Sequence, residues 1–272
     1  MLIPIGMVIY LSFSSWNGIL GVPIRWIGLF NFGRLLIDPD IINAIELSLI
    51  YMILTTLGTV LVGLVLASLL DMRVRGWNTF RAIFYLSVLL PAIVTGRLFV
   101  TMYNPNVGLI QPLLTFIYGL VKLHAPVIYW LSDAKIVIYS IILKDIWQYA
   151  GFPMIIFIAG FSTIPVEVSE AALVEGATEW QIFRHIKLPL IRNVFAIALT
   201  LQLIFSFKVF DTVWTMTEGG PGTSTQVLAV YLYKEAFIGS VFGYSAAIAV
   251  LMILIIFPIA IASLKLSRFG EI

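Results

Sequence analysis

Long apolar runs alternate with short polar interruptions along almost the whole of this 272-residue chain. The runs near residues 41–70, 82–103, 136–161, 193–216 and 241–264 each exceed the roughly 20 residues a helix needs to cross the hydrocarbon of a bilayer. A shorter run at 1–15 is apolar for only about 13 residues and has no basic residue ahead of it. It lacks the charged leading region and small-residue cleavage site of a signal peptide, and reads as the second half of a first transmembrane helix whose start is missing. The pattern therefore predicts six transmembrane helices in one domain, 1–272. Pro91 falls near the middle of the third span, where it predicts a kink that neighbouring helices tolerate. Between the spans, residues 17–40 carry the turn signals NG, GVP and DPD, and residues 104–135 carry NPNVG with aromatic Tyr118, Tyr129 and Trp130; both read as loops.

Composition agrees with an all-α polytopic integral membrane protein. Apolar residues make up 61% of the chain and charged residues 11%, against about 25% charged in a soluble domain. One soluble core of this length could not hide that much apolar surface. A net charge of +2 gives no footprint for nucleic acid. The absence of cysteine excludes disulfides, thiolate metal sites and cysteine nucleophiles.

The longest strongly polar segment runs from Glu167 to Arg192, EVSEAALVEGATEWQIFRHIKLPLIR. Its side of the membrane follows from the basic residues. Arg73, Arg75, Arg81, Arg184, Lys187, Arg192, Lys265 and Arg268 fall on one side, close to helix ends, and Arg25, Arg34, Lys122, Lys135 and Lys234 are spread over longer loops on the other. The positive-inside rule puts the Glu167–Arg192 stretch and the C-terminus in the cytoplasm.

Within 165–190 the residues predict two helices. Pro165 can open the first, and Gly176 is a natural stop because it accepts positive φ without steric cost. Thr178 and Gln181 have the spacing of a capping box, so a second helix starts there, with Trp180, Ile182, Phe183 and Ile186 on its apolar faces and Pro189 marking its end. Such a helix–turn–helix is either an amphipathic linker resting in the headgroups or a working face shown to a soluble partner.

The spacing Glu170-Ala171-Ala172, three residues, Gly176, nine residues, Ile186, one residue, Leu188-Pro189 resembles the EAA loop of the permease subunits of binding-protein-dependent ABC importers. WQYAGFPMIIFIAGFSTIP (147–165) and the segment 207–237 with its GGP turn are similar to the MalF-type half of carbohydrate importers, and the resemblance covers roughly residues 49–268. It implies a type I importer permease fold in a prokaryotic plasma membrane. It also implies a coupling helix at 165–190 docked in a cytoplasmic ATPase, with Glu170, Ala171, Ala172, Gly176, Ile186, Leu188 and Pro189 as the coupling residues. The implied partners are a MalG-type permease, two ATPase subunits that bind ATP and magnesium, and an extracytoplasmic solute-binding protein. The chain itself has no G-x-x-x-x-G-K-S/T phosphate cradle and no nucleophile–base constellation, so it is read as a non-enzyme; the resemblance implies that it moves a sugar or oligosaccharide by alternating access.

Other polar residues carry narrower expectations. His124 and His185 are ordinary loop residues on opposite sides of the membrane, with no metal site between them. Lys208 and Asp211, three apart, share a helix face as an ion pair or a gate. Adjacent Lys144 and Asp145 point apart, so each needs a partner on another helix. A sugar needs hydroxyl and amide partners and an aromatic platform, for which Thr95, Gly96 and Arg97 on the third span and Trp147, Gln148 and Gly151 on the fourth are candidates. Gln202, Ser206 and Val209 on the fifth recur at helical spacing and share a face. Two rivals to a sugar importer are an ABC permease for a phosphorylated polyol, with Arg97 or Lys208 on the anion, and an ion-coupled transporter using Asp145 or Asp211.

Overall fold

The computed structural model describes residues 2–19, 21–72 and 76–268. Arg73 and Arg75, counted above for orientation, lie outside them. Fifteen helices follow in order: α1 Leu2–Ser12, α2 Phe30–Ile37, α3 Pro39–Asp71, α4 Trp77–Leu89, α5 Ala92–Met102, α6 Ile110–Leu120, α7 Val137–Tyr149, α8 Gly151–Phe161, α9 Val166–Val174, α10 Glu179–Ile182, α11 Leu188–Leu190, α12 Arg192–Phe207, α13 Asp211–Thr217, α14 Leu228–Tyr233 and α15 Phe242–Arg268. Two π-helical turns, Phe183–Lys187 and Lys234–Ile238, continue α10 and α14. Among the described residues the only strand pairing is Ser14–Ser15 against Arg25–Trp26, antiparallel and two residues long.

Two helices are long and apolar enough by themselves to cross a membrane, α3 and Phe242–Ser263 of α15. The start of α3 is set by chemistry that the hydropathy pattern does not weigh. Asp38 accepts the Asp40 N–H at 3.0 Å and Pro39 takes the first helical position, where its missing N–H costs nothing. Along its length α3 exposes Leu57, Leu61, Val65 and Leu69 and buries Val60, Leu64 and Ala67, a stripe of bare hydrocarbon every fourth residue that suits lipid rather than water.

Three helix pairs reach that length and apolarity only together, each bent at a short break. α4 and α5 meet at 95°, much sharper than the kink expected at Pro91. The residue before a proline is pushed out of helical space, and Leu90 adopts φ −73°, ψ 134°, so the chain turns rather than bends. α7 and α8 meet at 41°, where Pro153 in the first turn of α8 removes the N–H that would bond Tyr149. The α10–α11 segment meets α12 at 72° across Ile191. Counting each pair as one span gives five in the described residues. At the N-terminus α1 has 11 residues. The fifth predicted span, 193–216, is split: α12 ends at Phe207 and α13 begins at Asp211. The segment 104–135 is not all loop, because it contains the apolar helix α6.

The chain packs as two compact units. The first holds the described residues up to Tyr51, Ala92–Ile142 and Phe207–Pro258; the second holds Met52–Pro91, Leu143–Ser206 and the described residues from Ile259. The core of the second unit is built from Val60, Leu64, Ala67 and Leu70 of α3, Met154, Phe157 and Phe161 of α8, Ile191, and Ala198 of α12. Close helix crossings need glycine here. A methyl group on Gly63 would fall 2.9 Å from the Ala150 carbonyl oxygen, and one on Gly151 would fall 2.5 Å from that of Phe84.

Candidate functional site

The 165–190 segment forms a helix, a tight reversal and a second helix through contacts that are almost all local. α9 ends in a Schellman motif: Gly176 N–H bonds the Leu173 carbonyl at 3.0 Å and Ala177 N–H bonds that of Ala172 at 2.9 Å, with Gly176 at φ +86°. This left-handed conformation is open to glycine and strained for other residues. Two residues on, Thr178 and Gln181 close a reciprocal capping box, Thr178 N–H to Gln181 Oε1 at 2.7 Å and Gln181 N–H to Thr178 Oγ1 at 3.3 Å. The two motifs together leave the turn little conformational freedom.

Among the described residues, nothing beyond its own chain neighbours lies within 4 Å of where a Gly176 side chain would begin, and Glu170, Ala171 and Gly176 are exposed. Val174 is 89% exposed and Trp180 65%, so the turn presents bare apolar surface next to a carboxylate. Ala172, Ile186 and Leu188 are half-buried and Pro189 is exposed. The other end of the segment is fixed. Phe183 and Leu188 pack on the core that includes Leu70, Phe161 and Ile191, and Lys187 Nζ contacts Asp71 Oδ2 at 2.6 Å. Asp71 is the last residue of α3, so a partly buried ion pair ties the second helix of the reversal to the end of a long span. Pro189, which donates no N–H, sits just after the π-helical turn, where the Leu188 N–H reaches back to the Phe183 carbonyl.

Deeper in the second unit lies a buried polar cluster. Lys144, Asp145 and Gln148 have essentially no exposure. Lys144 Nζ contacts Asp145 Oδ1 at 3.0 Å and also donates to Gln148 Oε1. The two charges, expected to point apart, also meet each other: the long lysine stem folds back so that its ammonium reaches its neighbour's carboxylate. Gln148 Nε2 donates to the Leu90 carbonyl at 2.9 Å, an oxygen freed at the Pro91 break, and Ser87 Oγ donates to the Gln148 carbonyl at 3.0 Å. Both ends of the Gln148 side-chain amide are therefore committed to the protein.

The other sugar-site candidates separate by unit. In the second, Trp147 is half-exposed, Gly151 is a helix-crossing glycine, Gln202 is buried, and Ser206 lies 3.5 Å from Thr56 Oγ1. In the first, Thr95 is buried and bonds the Ala92 carbonyl at 3.1 Å. Gly96 faces Thr215 of α13, 3.1 Å from where its Cβ would be, and Arg97 is exposed. The split of the fifth span corrects two expectations. Val209 lies beyond the end of α12 and does not share a helical face with Gln202 and Ser206, and Lys208 and Asp211 flank the break instead of sitting one turn apart.

One cluster in the first unit was not singled out from sequence. Asp38 accepts hydroxyl hydrogen bonds from Tyr231 at 2.8 Å and Tyr244 at 2.5 Å. Arg34 lies over the Tyr244 ring at 3.9 Å and 3.6 Å from Glu235. Burial pushes the Asp38 carboxyl up, but the Tyr244 and Tyr231 hydroxyls, the Asp40 N–H and the Arg34 charge outweigh it and hold the group below the usual carboxylate range. Burial pushes Glu235 up, against the attraction of Arg34. The DPD turn signal was legible in the sequence; nothing local pairs it with tyrosines about 200 residues away.

The family profile described as binding-protein-dependent transport system inner membrane component matches residues 60–268. A probable ABC transporter permease protein of Pyrococcus horikoshii is 39% identical over 263 residues, covering 97% of this chain and 88% of the relative. A probable starch degradation products transport system permease protein of Thermoanaerobacterium thermosulfurigenes is 32% identical, covering 100% of this chain and 89% of the relative. Among solved structures, a chain of a bacterial ABC transporter involved in import of the acidic polysaccharide alginate superposes with a TM-score of 0.83 at 24% identity, over 98% of this chain and 89% of its own.

Proposed function

Because the chain belongs to the binding-protein-dependent transport system inner membrane component family, and so is an ABC transporter permease, we propose that it imports a sugar or oligosaccharide, with the 165–190 reversal as the coupling element to an ATPase in trans. The observation that carries the coupling assignment is the exposed, conformationally fixed turn at Gly176, joined by Lys187 and Asp71 to the end of α3. Small side chains at Ala171 and Ala172 permit close approach of a partner surface, the apolar Val174 and Trp180 give it something to bury, and the Glu170 carboxylate can pair with an ATPase arginine. A pull on the turn is not absorbed locally, because the Schellman motif and the capping box hold it as one piece. It passes instead through Phe183, Leu188 and the Lys187–Asp71 pair into α3 and α12.

In this reading two ATPase subunits bind ATP and magnesium in the cytoplasm, and a second, MalG-type permease completes the membrane part. A solute-binding protein delivers cargo from outside, and closure of the ATPases moves the spans between inward- and outward-open states. The EAA loop and the C-terminus face the cytoplasm of a prokaryotic cell. Sugar as the cargo is supported by the names of the relatives, which cover starch degradation products in one case and alginate in another. The half-exposed Trp147 indole offers a face for the apolar side of a sugar ring. Gln148, whose amide is already bonded at both ends, serves the fold in this state.

The test is uptake of labelled maltooligosaccharide into vesicles holding the complete complex. Gly176→Pro and Glu170→Lys are expected to insert and assemble normally and to abolish uptake. Normal uptake by both variants would sink the docking assignment. Identification of the solute that co-purifies with the binding protein decides the cargo separately.

A further inference from the structure

The helix α6 (Ile110–Leu120) is too short to span a bilayer, and its surface divides into three stripes. Ile110, Gln111, Leu114 and Tyr118 are buried or half-buried against the first unit. Leu113, Phe116, Ile117 and Leu120, together with Leu109 just before the helix, form a continuous apolar stripe that is largely exposed, 69% at Leu120. Thr115 and Gly119 mark a third, uncharged polar stripe. At 100° per residue these are three different faces of the helix.

α6 does not hang free. Gln111 Nε2 donates to the Pro126 carbonyl at 3.0 Å, and its Oε1 accepts the Ile128 N–H at 3.3 Å. The segment so held reaches Trp130, whose ring stacks on Tyr103 at 5.3 Å and whose carbonyl accepts from Ser140 Oγ at 2.9 Å. Tyr103 directly follows α5, and Ser140 lies in the first turn of α7. The helix is thus fastened beside the end of α5 and the start of α7. Its bare stripe, like that of α3, consists of large apolar side chains alone.

The C-terminal cap adds a second observation. Lys122 N–H bonds the Gly119 carbonyl at 3.0 Å and Leu123 N–H bonds that of Tyr118 at 2.9 Å, the same Schellman pattern as at Gly176. Here, however, the left-handed position is taken by lysine, at φ +56°. A lysine in a conformation that favours glycine is strained. The cap places a basic residue at the negative end of the helix, with His124 two residues on.

We propose that α6 lies in the plane of the membrane surface, its Leu113–Phe116–Ile117–Leu120 stripe in the acyl boundary and Lys122 against the phosphates of anionic lipid headgroups. An in-plane helix with one apolar stripe and a basic end binds lipid by buried area plus charge. The proposal rests on α5 and α7–α8 crossing the membrane and is independent of the cargo.

The chain contains no cysteine, so single cysteines introduced at 113, 116, 117, 120, 115 and 119 can be spin-labelled in the assembled, otherwise cysteine-free complex in phosphatidylglycerol-containing nanodiscs. Labels at 113, 116, 117 and 120 are expected to collide with dissolved oxygen and be shielded from a polar nickel chelate, and labels at 115 and 119 to show the reverse. Chelate access at the four apolar positions would overturn the proposal in favour of a water-facing helix. Immobilised labels there, shielded from both reagents, would overturn it in favour of a protein neighbour. A label at Leu61 of α3 is the control, since oxygen access there keeps the spanning assignment intact even if α6 fails. Lys122→Glu is expected to move the label at 120 toward the aqueous phase, and an unchanged depth would overturn the headgroup contact.

Discussion

Gln148 on α7 donates its side-chain amide to the backbone carbonyl of Leu90 at 2.9 Å, closing the gap that Pro91 opens between α4 and α5. A carbonyl released at a proline break inside a membrane protein needs a donor, because lipid offers none. Gln148 supplies it, and its other amide atom accepts from Lys144, so one side chain serves both a helix break and a buried cation.

Gln148→Leu keeps the volume and removes both functions. Each orphaned group costs about 1–3 kcal/mol. The expected result is a clear drop in the melting temperature of the detergent-purified complex, with uptake lost through instability. If Gln148 instead contacts sugar in this state, the melting temperature holds and the half-saturating sugar concentration rises.

Gly151 and Gly96 were candidates for a sugar path and turn out to sit at helix crossings of different tightness. A methyl group at Gly151 would lie 2.5 Å from the Phe84 carbonyl oxygen, backbone that cannot rotate away, whereas at Gly96 it meets the Thr215 side chain at 3.1 Å. Gly151→Ala is expected to destabilise by about 1–3 kcal/mol through forced separation of α4 and α8, and Gly96→Ala by less. Thermal unfolding of the two variants side by side checks the order.

The Lys187–Asp71 pair is 20–29% exposed, which places its stability contribution at about 1 kcal/mol or below. Its larger effect is mechanical. Asp71→Asn is expected to leave ATP hydrolysis by the complex near normal while uptake falls several-fold. The charge-reversed double variant Asp71→Lys with Lys187→Asp should recover part of the uptake. Equal loss of hydrolysis and uptake in the single variant would remove the pair from the coupling path.

The Asp38 cluster predicts a pH dependence. A carboxyl held below its unfolded value of about 3.9 stabilises the fold above that value, and the contribution is lost as pH falls through the folded pKa. Tyr231→Phe removes one of the bonds holding it down, so acid unfolding should begin at higher pH. Glu235 has the opposite sign. Burial raises it, so its ionisation opposes folding as pH rises above about 4.3. Glu235→Gln should therefore make the protein more stable at neutral pH relative to acid. Helicity followed by circular dichroism across an acid titration reads both.

The chain by itself determined whatever is made by neighbours in sequence. Hydropathy runs marked the spans, and the Gly176 stop and the Thr178–Gln181 capping box were readable because their hydrogen bonds join residues within about one or two helical turns. The EAA spacing carried a resemblance that the family profile over residues 60–268 bears out. Tertiary structure alone decided the rest. The bond from Gln148 to Leu90, the Lys187–Asp71 pair and the Tyr231 and Tyr244 bonds to Asp38 join residues 58 to 206 positions apart. Helices that are apolar on every side carry no stripe to say which face turns inward, so neither the partners of Lys144 nor the crossing at Gly151 could be read in advance. The break after Phe207 is marked in sequence only by Lys208 and Asp211, and their three-residue spacing fits a continuous helix face as well as it fits a break.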